Sequence, residues 1–347
     1  MTRREETAAL FRTFAEAVGD EIPLYSRIAE AVVDDAELLE LAGRAQPGQP
    51  PPNMLFAAVQ YLLGGDHPLA AWYPALSVSA APSSDPYPVF RDFCLTHRHE
   101  VGELVATRRT QTNEVARCLA LLPALADVLG LADRPLSLVE IGASAGLLLA
   151  FDRYRYSFDA DSWGPLDSPV QLRAELRGRQ PPLPSSPVPV GGRLGIDLNP
   201  VDVGDASDVR WLDALVWPGH EERRSRLRSA VDLVATDPPP VMVGDALEVL
   251  PEVIDAVSPG ELPVVFHSFA LIQWTSGQRA QLDGLLAAAD RRVVRIWLEW
   301  FGYRRSLPII KVVDYRPASV EERILGRFHH HGRWLDWGWV PASDPQS

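Results

Sequence analysis

The residues Glu140-Ile-Gly-Ala-Ser-Ala-Gly146 carry the most suggestive chemistry in this chain, an acid followed at once by glycine and other very small side chains. Small residues let a ligand come close to the backbone. Where such a turn opens a helix, the free N–H groups and the helix dipole favour an electron-rich partner. Glu140, Gly142, Ser144 and Gly146 are therefore expected to hold a nucleotide-like cofactor. Their spacing, E-x-G-x-S-x-G, does not satisfy the dinucleotide pattern, because Leu147 stands where its third glycine belongs. No Lys-Ser/Thr pair follows, so the turn is not a P-loop. Gly142-Ala-Ser-Ala-Gly146 also spells G-x-S-x-G, the nucleophile elbow of α/β-hydrolases, with Ser144 as the nucleophile. That elbow normally follows earlier strands, one of whose loops supplies an oxyanion donor, whereas the residues before Glu140 read as helical.

Three further groups of residues invite a chemical reading. Asp197 in Gly195-Ile-Asp-Leu-Asn-Pro200 and Asp245 in Gly244-Asp-Ala-Leu-Glu248 place carboxylates at the ends of short apolar runs. Stabilising the Asn199-Pro200 turn and capping a helix are their bland alternatives. His267, near the end of Val264-Val-Phe-His-Ser-Phe269, is the candidate general base, and Glu299, among Trp297, Trp300 and Phe301, the candidate orienting group. A structural histidine and a core ion pair are the competing readings. Arg108, Arg109, Gln111, Asn113 and Glu114 concentrate polar groups where the helical region enters the α/β region, and Arg109, Gln111, Asn113 and Glu114 are taken as a substrate-pocket wall. His329, His330 and His331 lack a Cys or acidic partner at ligand spacing, so no metal site is expected.

The elements that must position these groups change character along the chain. Up to about residue 130 the apolar spacing is helical throughout: Leu10, Phe11, Phe14 and Val18; Leu24, Ile28, Ala31 and Val32; Asn53 to Leu63; then Val89 to Arg109 and Asn113 to Gly130. From Leu136 onward short β-like runs alternate with helices, at Leu138 to Ile141, Leu194 to Leu198, Val241 to Val243, Val264 to Phe269 and Val293 to Phe301. That alternation implies a mostly parallel sheet covered by helices. Ile309 to Tyr315 and Ile324 to Trp339 are expected to close it as an antiparallel pair. The proline-rich interval from Ser157 to Gly192 reads as an insertion with Val170 to Leu176 as a hairpin strand. The division is a helical domain over residues 1–130 and an α/β domain over 131–347, with the insertion at about 157–192.

The succession Glu140, Asp197, Asp245 around a glycine turn resembles the class I S-adenosylmethionine-dependent methyltransferases, over about residues 113–347. The resemblance implies a Rossmann-like sheet of that type preceded by an all-α domain. It implies S-adenosylmethionine as cofactor, with Asp197 gripping the ribose hydroxyls and Asp245 near the adenine. A carboxylate can accept hydrogen bonds from a vicinal diol, and open α/β sheets bind ligands at the carboxyl ends of their strands. Ser144 replaces the usual middle glycine. About fifty residues separate the turn from Asp197, against roughly twenty expected in a nucleotide-binding unit. Asp159, after Tyr154 to Phe158, is thus the alternative ribose ligand.

The whole chain is also similar to a bacterial family catalogued as domain of unknown function 2332. The phrases that carry this are Arg109-Thr-Gln-Thr-Asn-Glu114, the Glu140 to Gly146 turn, Asp152-Arg-Tyr-Arg-Tyr156, Asp197-Leu-Asn-Pro-Val-Asp202, Trp211-Leu-Asp-Ala-Leu-Val-Trp-Pro218 and His331-Gly-Arg-Trp334. This family carries no activity to transfer.

Composition bounds the partners. With 347 residues, 46% of them hydrophobic, the chain can bury a sizeable core. A net charge of -13 opposes a phosphate-tracking surface, so nucleic acid is not an expected partner. The N-terminus leads into an amphipathic pattern and no run of about 18 apolar residues occurs, so neither a signal core nor a membrane span is expected. Cys94 and Cys118 lie in helix-like patterns and fit buried thiols in a reducing cytoplasm. The expectation is a methyltransferase acting on a small molecule, with a non-catalytic binding protein on the same fold and a Ser144 hydrolase as alternatives. Oligomeric state and acceptor are not legible.

Overall fold

The computed structural model describes residues 2–300 and 307–341. Among them α-helices run α1 (Arg3–Val18), α2 (Pro23–Val32), α3 (Ala36–Ala42), α4 (Pro51–Leu62), α5 (Tyr87–Thr96), α6 (Arg98–Thr107), α7 (Cys118–Gly130), α8 (Ala206–Ala214), α9 (Glu221–Ala235), α10 (Ala246–Ala256) and α11 (Ser276–Ala287). The strands are β1 (Leu136–Ile141), β2 (Arg155–Phe158), β3 (Asp161–Trp163), β4 (Gln171–Leu176), β5 (Val190–Asp197), β6 (Val241–Val243), β7 (Leu262–Ser268), β8 (Val293–Trp300), β9 (Pro308–Arg316), β10 (Ser319–Phe328) and β11 (Trp334–Trp337). Two compact units divide them, Met1–Thr112 with Asp205–Arg228, and Asn113–Gly204 with Ser229–Ser347. The division therefore falls at Thr112 and not near residue 130, and the chain returns to the helical unit for α8.

The helical unit is built as its spacing implies. Thr2 and Glu5 close a capping box at the start of α1, Asp35 caps α3 through the amides of Glu37 and Leu38, and Pro23 and Pro51 sit in first turns where a missing N–H is harmless. Its core gathers Phe11, Tyr25, Ile28, Phe56 and Phe90, with the Tyr25 and Phe56 rings stacked 4.1 Å apart. The single helix expected over Val89 to Arg109 is two, α5 and α6, because the backbone at His97 leaves the helical region (φ -102, ψ 29).

The second unit holds one sheet of eleven strands among the described residues, in the order β3-β2-β4-β11-β10-β9-β8-β7-β1-β5-β6. Strands β6, β5, β1, β7 and β8 are parallel, and β9 and β10 follow antiparallel. Every residue of β1 is buried, as expected of a parallel strand covered on both faces. One face, with Val139 and Ile141 of β1, Val265 of β7 and Val293 of β8, packs on Leu250 and Ile254 of α10 and Leu282 and Leu286 of α11. By strand alternation Leu138 and Glu140 point to the opposite face, where α7 lies against β8 and β9.

Two expectations fail here. The run Ile324 to Trp339 is not one strand. Gly332, at φ +69, turns the chain between β10 and β11, because a Cβ there would come 2.5 Å from the Cβ of Ala116. His329, His330 and His331 consequently occupy a turn and not a strand. The interval 157–192 is not an insertion set apart from the sheet. It supplies β3 and β4, which with β2 extend the far side of the sheet, and β4 pairs in parallel with both β2 and β11 instead of forming a hairpin strand. Phe301 lies outside the described residues. No helix among the described residues is long and apolar enough to cross a membrane.

Candidate functional site at the carboxyl ends of the parallel strands

The turn after β1 is tight. Gly142 (φ +74), Ser144 (φ +51) and Gly146 (φ +66) are all left-handed, and a Cβ on Gly142 would sit 2.5 Å from the Cβ of Ala270, just beyond β7. Only glycine fits there without displacing the next strand's exit. Its amides do not open toward solvent. Gly142 N–H donates to the Ile196 carbonyl (2.8 Å), Ser144 N–H to Asp197 Oδ2 (2.8 Å), Ala145 N–H to Asn113 Oδ1 (3.4 Å) and Gly146 N–H to the Ala143 carbonyl (2.8 Å). The helix expected to follow is a 3₁₀ segment, Leu147–Arg153.

Asp197 is the lock of this turn. Its Oδ1 accepts from Asn199 N–H (2.8 Å) while Oδ2 holds Ser144, so the carboxylate ties the ends of β1 and β5 together. Each oxygen keeps a second lone pair for a further donor. Because β5 pairs directly with β1, with Ile141 opposite Ile196, Asp197 ends the strand next to the turn. Asp159 instead forms the exposed β2–β3 turn at φ +51, with six strands between β2 and β1 in the sheet. Asp245 follows β6 and caps α10 by accepting from Leu247 N–H (2.9 Å). Glu140, 3% exposed, has a buried Oε2 with no hydrogen-bond partner. Burial, and next the charge of Asp197, push its carboxyl well above the usual range, with Arg117 opposing.

Two of the pocket-wall residues reach this region. Asn113 Nδ2 donates to Ser144 Oγ at 3.0 Å. Glu114, 2% exposed, accepts from Ala116 N–H (3.1 Å) at Oε1 and faces His331 Nδ1 at 3.0 Å through Oε2. Arg109 and Gln111 belong to the helical unit, where the Arg109 carbonyl accepts from Trp211 Nε1 (2.7 Å).

Sequence reasoning passed over Arg117, Phe269 and the histidine turn as parts of one site. Arg117 donates to the Ser268 carbonyl (3.1 Å) and lies 4.3 Å from the Phe269 ring centre. Phe269, at φ +56, is a bulky residue in a left-handed conformation. Such strain, of about 1 to 3 kcal/mol, clusters at functional sites. Ser144 and Phe269 thus carry strained backbones at the ends of the two adjacent strands β1 and β7. No local sequence signal marks a left-handed phenylalanine. His330 stacks on His329 (4.4 Å) and lies tilted against His331 (4.2 Å), and burial, then the neighbouring imidazoles, pull its pKa down to about 3.

A model of the family domain of unknown function 2332, described as an uncharacterized protein conserved in bacteria, matches residues 8–337. The chain belongs to that family. No curated protein and no solved structure matches it. The match to domain of unknown function 2332 spans residues of both units.

The remaining candidates in this family member lie apart from Glu140. His267 shares the parity of Ile141 and points to the α10–α11 face, 0% exposed. Arg295 Nε donates to His267 Nε2 (3.0 Å), and an arginine can only donate, so the proton sits on Nδ1 and is given to Glu299 Oε1 (2.7 Å). Glu299 Oε1 also accepts from Leu271 N–H (2.8 Å). Burial first, then Arg295, lowers the His267 pKa. Both ring nitrogens are occupied, which leaves His267 no lone pair for base catalysis and gives Glu299 an orienting role toward a core histidine. Ser144 Oγ, 8% exposed at its residue, is bonded to an asparagine amide and, among the described residues, to no histidine, so the hydrolase reading lacks its base.

Proposed function

We propose that this protein binds S-adenosylmethionine at the carboxyl ends of β1, β5 and β6 and passes its methyl group to a small molecule. The observation that carries the reading is the set of three carboxylates, Glu140, Asp197 and Asp245, ending three adjacent strands around a glycine turn. Strand order supports it. The parallel strands β6-β5-β1-β7-β8 follow the 3-2-1-4-5 order of doubly wound sheets of class I methyltransferase type, whose order reverses between β1 and β7. Ligands of open α/β sheets sit outside the carboxyl ends at that reversal.

The residues present fit such a cofactor. Asp197 retains lone pairs for a ribose diol, and Glu140 holds a buried oxygen without a partner. Leu198 and Val243, 65% and 70% exposed, offer apolar surface beside Asp197 and Asp245 for an adenine ring. When bound, the cofactor supplies an electrophilic methyl group on a sulfonium. The acidic balance of the chain favours a small molecule over nucleic acid as acceptor.

One observation favours a second reading, a ligand-binding protein without transfer chemistry: both ring nitrogens of His267 are occupied, by Glu299 and by Arg295. Calorimetric titration with S-adenosylmethionine and S-adenosylhomocysteine tests the first step. Binding of both near one per chain supports the cofactor reading, and no heat with either up to about millimolar concentration, weaker than ordinary cofactor affinity, rejects it. Transfer of a labelled methyl group to a panel of small acceptors separates the enzyme from the binding protein.

A further inference from the structure

Glu140 and Ser268 stand at the carboxyl ends of the adjacent strands β1 and β7, and each carries a buried polar atom that nothing meets. Glu140 Oε2 and Ser268 Oγ have no hydrogen-bond partner among the described residues, and the two residues are 3% and 8% exposed. They share a face of the sheet. Glu140 lies opposite Phe266 in the parallel register, and Ser268 follows Phe266 by two residues, so both side chains leave the sheet on the same side. Strands about 4.8 Å apart, rising about 3.3 Å per residue, set the two Cα atoms roughly 8 Å apart, a span that one ligand atom can bridge between a glutamate and a serine.

The charges around the pair select the bridging group. Burial and the charge of Asp197 make an ionised Glu140 costly, and Arg117, the opposing cation, gives a hydrogen bond to the Ser268 carbonyl (3.1 Å) and lies 4.3 Å from the Phe269 ring centre. A carboxylate can only accept hydrogen bonds and a serine hydroxyl can accept as well, so a cation with several N–H donors answers both atoms at once. A primary ammonium has three. An apolar body can continue from it, because Phe269, next after Ser268, and Trp300, at the end of β8, have ring centres 4.4 Å apart.

Resting on the methyl-transfer reading, we propose that Glu140 and Ser268 form a subsite for a primary ammonium of the acceptor, which is accordingly an amino compound with an apolar body. Position gives this group to the acceptor and not to the cofactor. Asp197 and Asp245 follow β5 and β6 on one side of β1, whereas Ser268 lies on β7, across the reversal of strand order. The ammonium is a handle. While protonated it has no lone pair, so the methyl group goes to another atom of the acceptor.

Calorimetric titration of the full chain with phenethylamine and with phenethyl alcohol, at about neutral pH, with and without saturating S-adenosylhomocysteine, tests the subsite. The amine is expected to bind roughly tenfold tighter than the alcohol, the difference a hydrogen bond to a charged group makes. Glu140→Gln should remove that preference, and Ser268→Ala should weaken the amine about threefold. An amine bound no tighter than the alcohol, or not bound up to about 10 mM, overturns the proposal. A Glu140→Gln variant that loses affinity for S-adenosylhomocysteine and keeps it for the amine also overturns it, since the ammonium recognised is then the cofactor's. The comparison of amine with alcohol on the wild type decides the matter if either variant fails to fold. Absent binding of S-adenosylhomocysteine with the amine preference intact rejects the cofactor reading and leaves the subsite.

Discussion

The sheet buries two polar clusters on its two faces, and they are finished differently. On the α10–α11 face, Arg295, His267, Glu299 and Asp283 form a chain in which both nitrogens of the histidine are used, Arg295 Nη1 meets Asp283 at 2.5 Å, and Tyr315 donates to the same carboxylate at 2.6 Å. At the carboxyl ends around β1, Glu140 is as buried as Glu299 yet keeps an oxygen without a partner, and Ser144 and Phe269 hold strained backbones. The first network also leaves Arg295 Nη2 buried without a partner, but its histidine is bonded at both nitrogens and its acids are engaged, whereas the second leaves a carboxyl oxygen bare beside strained backbones, a surplus that a bound partner can offset. The first cluster reads as scaffold and the second as site.

The sharpest way to break this contrast is to truncate an acid of the first cluster. Glu299→Ala strands His267 Nδ1–H and Leu271 N–H in the core, and at one to three kcal/mol for each buried unsatisfied donor the loss should reach about 3 kcal/mol. A lower denaturant midpoint with unchanged slope would show it; a variant as stable as wild type would deny the scaffold reading.

Asp197→Ala comes next. It frees the amides of Ser144, a buried residue, and of Asn199, an exposed one, so a loss of about 2 kcal/mol is expected, together with weakened S-adenosylhomocysteine binding. Lost stability with full affinity would leave Asp197 only its turn-locking part. Asn113→Ala removes the neutral hydrogen bonds to Ser144 Oγ and from Ala145 N–H and should cost about 1 to 2 kcal/mol.

The smallest effect is the most telling. Glu140→Gln removes an acid whose buried oxygen has no partner, so thermal unfolding should show stability within about 1 kcal/mol of wild type, or a gain, while ligand affinity falls. The clusters also predict opposite pH slopes. Glu140's carboxyl is raised in the folded state, so its stabilising contribution is complete below the ordinary carboxylate range near about 4 and is lost as pH rises through the raised value. His267's pKa is depressed, so its contribution is present above the ordinary imidazole value of about 6.5 and is lost as pH falls below it. Subtracting the pH–stability curve of Glu140→Gln from that of wild type should leave a difference that declines toward alkaline pH. A flat difference would remove the burial argument for Glu140.

Much of this arrangement was legible in the chain. Periodicity located the helices before Leu136 and the strands after it, since burial on one face or two leaves a repeating apolar pattern, and β6 begins and ends at the expected residues. Of the polar run that opens toward α7, Asn113 meets the glycine turn through Ser144 and Ala145, while Glu114 meets Ala116 and His331. Less could be read where contacts are remote in sequence. The break at Gly332 depends on Ala116, more than two hundred residues earlier, and the strands of the 157–192 interval gain their partners only from β2 and β11.

By itself, then, the sequence determined the local elements, the family, and the candidate acids at Glu140, Asp197 and Asp245, because propensity, period and turn chemistry act over a few residues. Which acid is satisfied and which is not was decided by tertiary structure alone. Glu299 and Glu140 are both acids near the ends of apolar strands, and only strand parity and neighbouring strands give one a histidine and an amide while leaving the other an empty oxygen. The same holds for His267. That its Nε2 meets an arginine is a property of packing, where burial makes each missing or supplied hydrogen bond worth a kilocalorie or more.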